Sequence, residues 1–239
     1  MKRLLLLISF FSVCFYGQTQ IISEEEIFRK IESKFSPQEA EKIRKEYEEA
    51  NDTTKAIMLN VFSMPMSSKK ELIENFEQKR NSIEELQITY SKLVPKGYSV
   101  FLELKTSEHI VGLVEGIDFQ IFKKNNNGEF DMVDGDWGLQ YGSEELDKLL
   151  ALIDWDRMTL LGIKNLLQTA NCVSIKNEDI TEVGFARSGL GMYYYLLFPK
   201  KLSKKQTEEY NDGCEYLYYK DNVVLKYTGG MAGPQCFTD

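Results

Sequence analysis

The periodicity of the chain changes sharply at Pro95–Gly97, and no other feature constrains the fold as much. Before that point apolar residues recur at helical spacing. "SEEEIFRKIESKF" places Ile27, Ile31 and Phe35 on one face, and Ser23 with Glu26 makes a capping box. In "SPQEAEKIRKEYEEAN" Ser36 caps, Pro37 takes the first helical position and Glu39 completes a second box, with Ile43 and Tyr47 sharing a face. "DTTKAIMLNVFSMP" predicts a shorter helix ending near Pro65. "SSKKELIENFEQKRNSIEELQITYSKLV" predicts one or two more, with Leu72, Phe76, Ile83 and Leu86 as core candidates. The charged residues between these stripes read as solvated helix faces.

After Gly97 the pattern alternates. "YSVFLEL" and "IDFQIFKK" read as strands, and "NNNG" supplies residues that tolerate positive φ. "IDFQIFKK" and "EFDMVDGDW" therefore predict the arms of a hairpin. A second helical stretch follows. Ser143 caps "SEELDKLLALI", and "DWDRMTLLGIKNLLQTAN" carries Leu160, Ile163, Leu166 and Leu167 as its stripe, with Asn171 suited to end it. The remainder reads as strands "CVSIKN", "EVGFAR", "GMYYYLLF", "CEYLYY" and "NVVLKY", interrupted by a short helix in "SKKQTEEYN". Asp221 and Asn222 fit a tight turn between the last two strands. The fold class is α+β: a helical N-terminal region, then a mixed region with antiparallel strands and two or three helices. The working division is 1–17, 18–93 and 94–239.

Residues 1–17 have the layout of a secretory signal peptide: Lys2 and Arg3, then an apolar stretch from Leu4 to Val13, then the small Gly17. The Gly17–Gln18 junction resembles that of exported bacterial proteins. A retained anchor helix is one rival. A lipoprotein modified at Cys14 is another, although "FSVC" lacks the residues that normally precede a lipidated cysteine. No later segment is apolar for long enough to span a bilayer. The formal charge is −8, and loss of Lys2 and Arg3 would make it −10 (−8 minus 2). Such a surface disfavours nucleic acid and anionic lipid as partners.

Export would leave Cys172, Cys214 and Cys236, of which two are expected to pair in an oxidising compartment. The tail "YTGGMAGPQC" lacks the Lys and the following helix that a phosphate loop needs. Its glycines suit a bend that returns Cys236 toward Cys214. Closing that loop would stabilise the fold by roughly 3 kcal/mol in the chain-entropy model, and a Cys172–Cys236 bridge by roughly 4 kcal/mol.

Overt chemistry is sparse. Asp131, Asp134 and Asp136 in "DMVDGDWG" could gather on Ca²⁺ with Asp118 and Glu129, but the spacing is not that of an EF-hand, and a solvated acidic turn is the simpler reading. His109 is the only histidine, so a serine or cysteine hydrolase with a histidine base would have to use it. A surface histidine between strands is the simpler reading here as well. "MYYYLLFPKKLSKK" joins aromatics to lysines, yet its apolar residues fall on both faces of a strand, which indicates core packing. No cofactor or metal is expected. The expectation is an exported, periplasmic or secreted bacterial protein that binds a protein or cell-envelope component without catalysis. The alternative is an envelope hydrolase using Asp131, Asp134, Asp136 or His109.

Overall fold

The computed structural model describes residues 23–105, 115–229 and 236–237. Three helices come first: α1 (Glu24–Lys34), α2 (Pro37–Glu49) and α3 (Asp52–Ser63). Ser23 and Ser36 cap the first two through complete capping boxes, and Asn51 caps the third. Their apolar stripes close on one another. Ile27, Phe28, Ile31, Ala40 and Tyr47 form a small separate core, with Ile43, Met58, Leu59 and Phe62 against it. Phe35, expected on the α1 stripe, is the C-cap residue and is exposed; its ring meets the edge of Phe62. Lys30 reaches three successive carbonyls at the end of α3, those of Phe62, Ser63 and Met64. A cation there satisfies carbonyls that the helix itself leaves open.

Residues 69–93 form one long helix, α4 (Lys69–Leu93), because no Gly or Pro interrupts the stretch. Leu72, Phe76, Ile83, Leu86 and Tyr90 on its buried face are fully enclosed. Each such side chain contributes roughly 1.5–3 kcal/mol of burial. They join the main core, which lies between α4, two further helices and one face of a sheet. A short ion pair, Lys34–Glu71 at 2.6 Å, ties α1 to α4.

The sheet is antiparallel throughout and has eight strands. In chain order, β1 (Tyr98–Lys105), β2 (Gly116–Lys124) and β3 (Phe130–Leu139) make a meander. The crossover then runs through α5 (Glu144–Ala151) and α6 (Arg157–Ala170). It delivers β4 (Ser174–Asn177) to the other side of β1. β5 (Thr181–Ser188) and β6 (Gly191–Leu197) extend the sheet from there. After α7 (Lys204–Glu209) come β7 (Tyr216–Lys220) and β8 (Val223–Thr228). The spatial order is β3-β2-β1-β4-β5-β6-β8-β7, which leaves β3 and β7 at the edges. Asn171 ends α6 in the left-handed conformation, and Asp221 takes the same conformation in the final hairpin.

Strand alternation assigns the faces. Val100, Leu102, Leu104, Ile117, Phe119, Ile121, Val183, Tyr193, Tyr195 and Leu225 point to α4, α5 and α6. Side-chain bonds tie the long helix to the sheet and to the α5–α6 connection. Tyr90 Oη donates to the Val100 carbonyl, and Trp155 Nε1 donates to the Leu93 carbonyl at the α4 end. On the opposite face α7 and its flanks cover one end only. Phe198 and Leu202 pack there on Leu196 and Val224, with Tyr210 and Tyr216 beside them. None of the described helices covers the rest of that face, over β2, β1, β4 and β5.

Cys214 and Cys236 form a disulfide. Phe237 N donates to the Cys214 carbonyl, and the Phe237 ring lies against Tyr193 and Tyr227. Cys172 is a buried free thiol. No helix among the described residues is long and apolar enough to cross a membrane.

Candidate functional site

A hollow of about 340 Å³ opens on the helix-free face. Phe101 and Glu103 of β1, Gln120 of β2, Trp137 of β3 and Ser174 and Lys176 of β4 line it, with Glu182 and Arg187 of β5 and Tyr194 of β6. The register explains the gathering. Glu103 pairs with Asp118 on one side and with Ser174 on the other; Ser174 faces Gly184, which faces Tyr194, which faces Lys226. A period of two then places all these side chains on the same side of the sheet. A side chain at Gly184 would run into Ser174 and Met192, so the glycine lets β4 and β6 side chains occupy the floor.

Charges on this face are matched in pairs. Arg187 donates from Nε (2.8 Å) and Nη2 (2.5 Å) to Glu103 Oε1. Lys105 Nζ lies 2.6 Å from Asp118 Oδ2, and Asp118 Oδ1 accepts from Gly138 N. Lys226 bonds Glu182 at 2.9 Å, and Lys176 meets Glu178 at 2.5 Å. Each of the three lysines also approaches an aromatic ring: Lys105 that of Trp137, Lys226 that of Tyr194 and Lys176 that of Phe122. The aliphatic stems cover apolar surface while the ammonium groups reach carboxylates and ring faces.

Glu103 and Asp118 are almost fully buried, at 4% and 1% exposure, and are direct cross-strand neighbours. Burial raises the Glu103 carboxyl above its ordinary value and Arg187 pulls it back only in part, with Asp118 adding to the rise. Burial also pushes Tyr194 up to about 12, so its hydroxyl stays protonated and can donate. Trp137, by contrast, is 62% exposed at the rim.

Of the acids singled out from sequence, Asp118 lies on this face, beside Glu103. Asp131, Asp134 and Asp136 are spread along the exposed edge strand β3. Asp131 accepts from Asn125, Asp134 from Gly135 N and Asp136 from Trp137 N. None of the three lines the hollow, and no group of three His, Cys, Asp or Glu side chains suited to a metal occurs among the described residues. His109, Cys14 and the 1–17 stretch lie outside the described residues. The Cys214–Cys236 bridge is formed as expected. A second hollow, of about 460 Å³, is lined by Lys105, Glu115, Tyr141, Lys164 and Cys172 among others, and adjoins the break in the described residues at 106–114.

Sequence reasoning passed over Glu103, Arg187 and Trp137, and it assigned Tyr194, in "MYYYLLFPKKLSKK", to core packing. One signal was present: in "YSVFLELK" a carboxylate sits between two leucines of a strand with an aromatic two residues before it. A charge at an alternate position of a strand flanked by core residues marks the face opposite the core. Its partner Arg187 lies 84 residues away, beyond any local pattern.

Chemically the hollow holds donors, acceptors and ring faces, without a nucleophile poised beside a base. Ser174 is buried, and its hydroxyl faces the Met192 sulfur at 3.9 Å. Glu103 and Glu182, the two carboxylates in the lining, each bond a cation. No family model, curated protein or solved structure matches the chain.

Proposed function

We propose that this chain is an exported, periplasmic or secreted bacterial protein that works by binding a protein or cell-envelope component, with the helix-free sheet face as its binding surface. The hollow on that face carries the reading. It gathers three aromatic rings and buried polar groups on the side of the sheet where the fold needs no core, and ligand sites characteristically combine those features. Its carboxylates hold cations rather than a substrate-activating partner, which favours binding over hydrolysis. Export is supported by the basic-then-apolar stretch Lys2–Val13 and by the Cys214–Cys236 bridge, since disulfides persist in oxidising compartments.

The test is recovery of bound material from cell-envelope extracts by the tagged protein and by a Gln120→Trp variant, which fills the hollow. The wild type is expected to retain material that the variant does not. Repeated recovery of the wild-type protein alone would overturn the proposal.

A further inference from the structure

We infer that the hollow accepts a neutral, hydroxyl-rich saccharide unit, so that the envelope component bound is a glycan. This rests on the binding reading above and specifies its ligand.

Charge comes first. The cations around the hollow are Arg187, Lys105, Lys176 and Lys226; the carboxylates are Glu103, Asp118, Glu178 and Glu182. Four of each sum to zero, and every one is in a pair. With each of these charges already matched, the face offers an anionic or cationic ligand no net attraction to offset the loss of that ligand's hydration. A neutral ligand leaves all four pairs intact.

The remaining polar groups match hydroxyls. Both Arg187 bonds go to the same carboxylate oxygen, Oε1, so Glu103 Oε2 and Arg187 Nη1 are left uncommitted. An acceptor and a donor thus lie side by side, the combination that a hydroxyl group, which both gives and takes a hydrogen bond, can answer. Gln120 in the wall has no side-chain hydrogen-bond partner among the described residues and offers another donor and acceptor on one planar group.

The apolar part fits as well. Trp137 presents a broad, exposed ring at the rim, with Phe101 and Tyr194 deeper in the lining. A flat aromatic surface beside planar hydrogen-bonding groups suits a ring that has hydroxyls around its edge and C–H bonds on its faces. A volume of about 340 Å³, open on one side, is at the small end of ligand sites, which run to about 1,000 Å³. That size suits one unit of a chain continuing across the open face.

The experiment titrates the full chain with neutral oligosaccharides of the glucan, mannan, galactan and chitin types, and with oligogalacturonate and chitosan oligomers as charged counterparts. Binding is read by calorimetry and by tryptophan emission. At least one neutral series should bind and perturb the emission. Trp137→Ala should weaken that binding at least tenfold, Gln120→Ala several-fold, and the charged series should bind at least tenfold more weakly. Trp137 is exposed on an edge strand, so the fold should survive its loss; circular dichroism checks this. Absence of binding by every neutral series, tighter binding of a charged series, or binding indifferent to Trp137 would overturn the inference. If the saccharides fail while Gln120→Trp still abolishes recovery of envelope material, the ligand class falls and the binding reading stands. A protein recovered in that way would identify the other kind of partner. If Gln120→Trp changes nothing in either experiment, the hollow is not the site. Release of reducing ends would keep the saccharide and remove the non-enzymatic reading.

Discussion

Asn75 of α4 and Tyr195 of β6 meet inside the main core, where Asn75 Nδ2 donates to Tyr195 Oη at 3.1 Å and Tyr195 donates onward to the Leu72 carbonyl at 2.7 Å. The Asn75 amide also reaches the Ala170 carbonyl, and its oxygen accepts from Asn171 at the left-handed cap of α6. One buried amide thus joins the long helix, the sheet and the crossover helix. Such a group stabilises only while all its bonds are made. Asn75→Leu keeps a similar volume and takes the donor away from one lone pair each of the buried Ala170 carbonyl and Tyr195 hydroxyl. It should cost about 1–3 kcal/mol in urea denaturation. Asn75→Asp should cost more, because it places a carboxylate among these groups in place of the amide donor. An unchanged midpoint for both variants would show that the network is idle.

The disulfide should be worth more than the local contacts it makes. Its partners are 22 residues apart, which corresponds to about 3 kcal/mol of loop entropy removed from the unfolded chain. Cys214→Ser with Cys236→Ser should therefore lower stability by about that amount, and reductant should do the same to the wild type. Phe237→Ala, which keeps the bridge and removes the ring from Tyr193 and Tyr227, should cost less than the double variant. Peptide mapping without reduction should find Cys214 joined to Cys236. Cys172, whose thiol burial pushes far up, should react with alkylating agents only after unfolding. Labelling of Cys172 in the folded protein would contradict its placement.

The contrast between these two features shows what was legible in the sequence. The elements themselves were, because each is a local pattern: Ser23 with Glu26, Ser36 with Glu39, the alternation of "YSVFLEL" and the turn at Asp221 all depend on neighbours a few residues apart. The disulfide was legible too, since hairpin geometry brings Cys214 back toward the tail. Which core a helix joins was not legible. Leu72 and Ile31 look alike in periodicity, yet one lies under the sheet and the other in the small cluster of α1–α3. The candidate site was the least legible part. Glu103, Ser174, Arg187 and Tyr194 come together through strand pairing across four strands, and only the register reveals that they share a face. The conspicuous acids of "DMVDGDWG" were instead on an edge strand, where carboxylates keep an exposed strand from pairing with other chains.

Two glycines in the sheet should respond differently to a methyl group. At Gly184 an added Cβ would meet Ser174 and the Met192 sulfur, the latter at 2.8 Å, and both are side-chain obstacles. At Gly191 it would meet the backbone carbonyl of Thr228 on β8, the strand beside β6. Gly184→Ala should cost about 1–3 kcal/mol, as overpacking does. Ser174→Ala in the same chain should restore about half of that by removing the hydroxyl. Gly191→Ala should cost at least as much and gain nothing from Ser174→Ala, because a paired strand cannot step aside. Thermal midpoints resolve these differences at about 2–4 °C per kcal/mol for a chain of this size. Equal rescue of both variants would mean that the obstruction at Gly184 is not the Ser174 side chain.

The Glu103–Arg187 pair makes a prediction about pH whose sign is opposite to that of an ordinary salt-bridged carboxylate. Burial raises the folded Glu103 above its usual 4.5, and Arg187 offsets this only partly. A raised acid holds its proton more tightly in the folded state than in the unfolded one. Its contribution to stability is therefore fully present below the unfolded value and lost as pH rises through the folded value. Glu103→Gln keeps the shape and removes the titration. The stability of the wild type minus that of Glu103→Gln should fall as pH goes from about 4 to about 7. Arg187→Met removes the cation, lifts the carboxyl further and should widen that fall. At neutral pH its cost should lie toward the low end of about 3–5 kcal/mol, since the Arg187 side chain is 21% exposed and solvent screens part of the loss. Urea midpoints measured across this range for the three proteins decide the matter. A difference that rises with pH would show that the attraction of Arg187 outweighs the burial of Glu103.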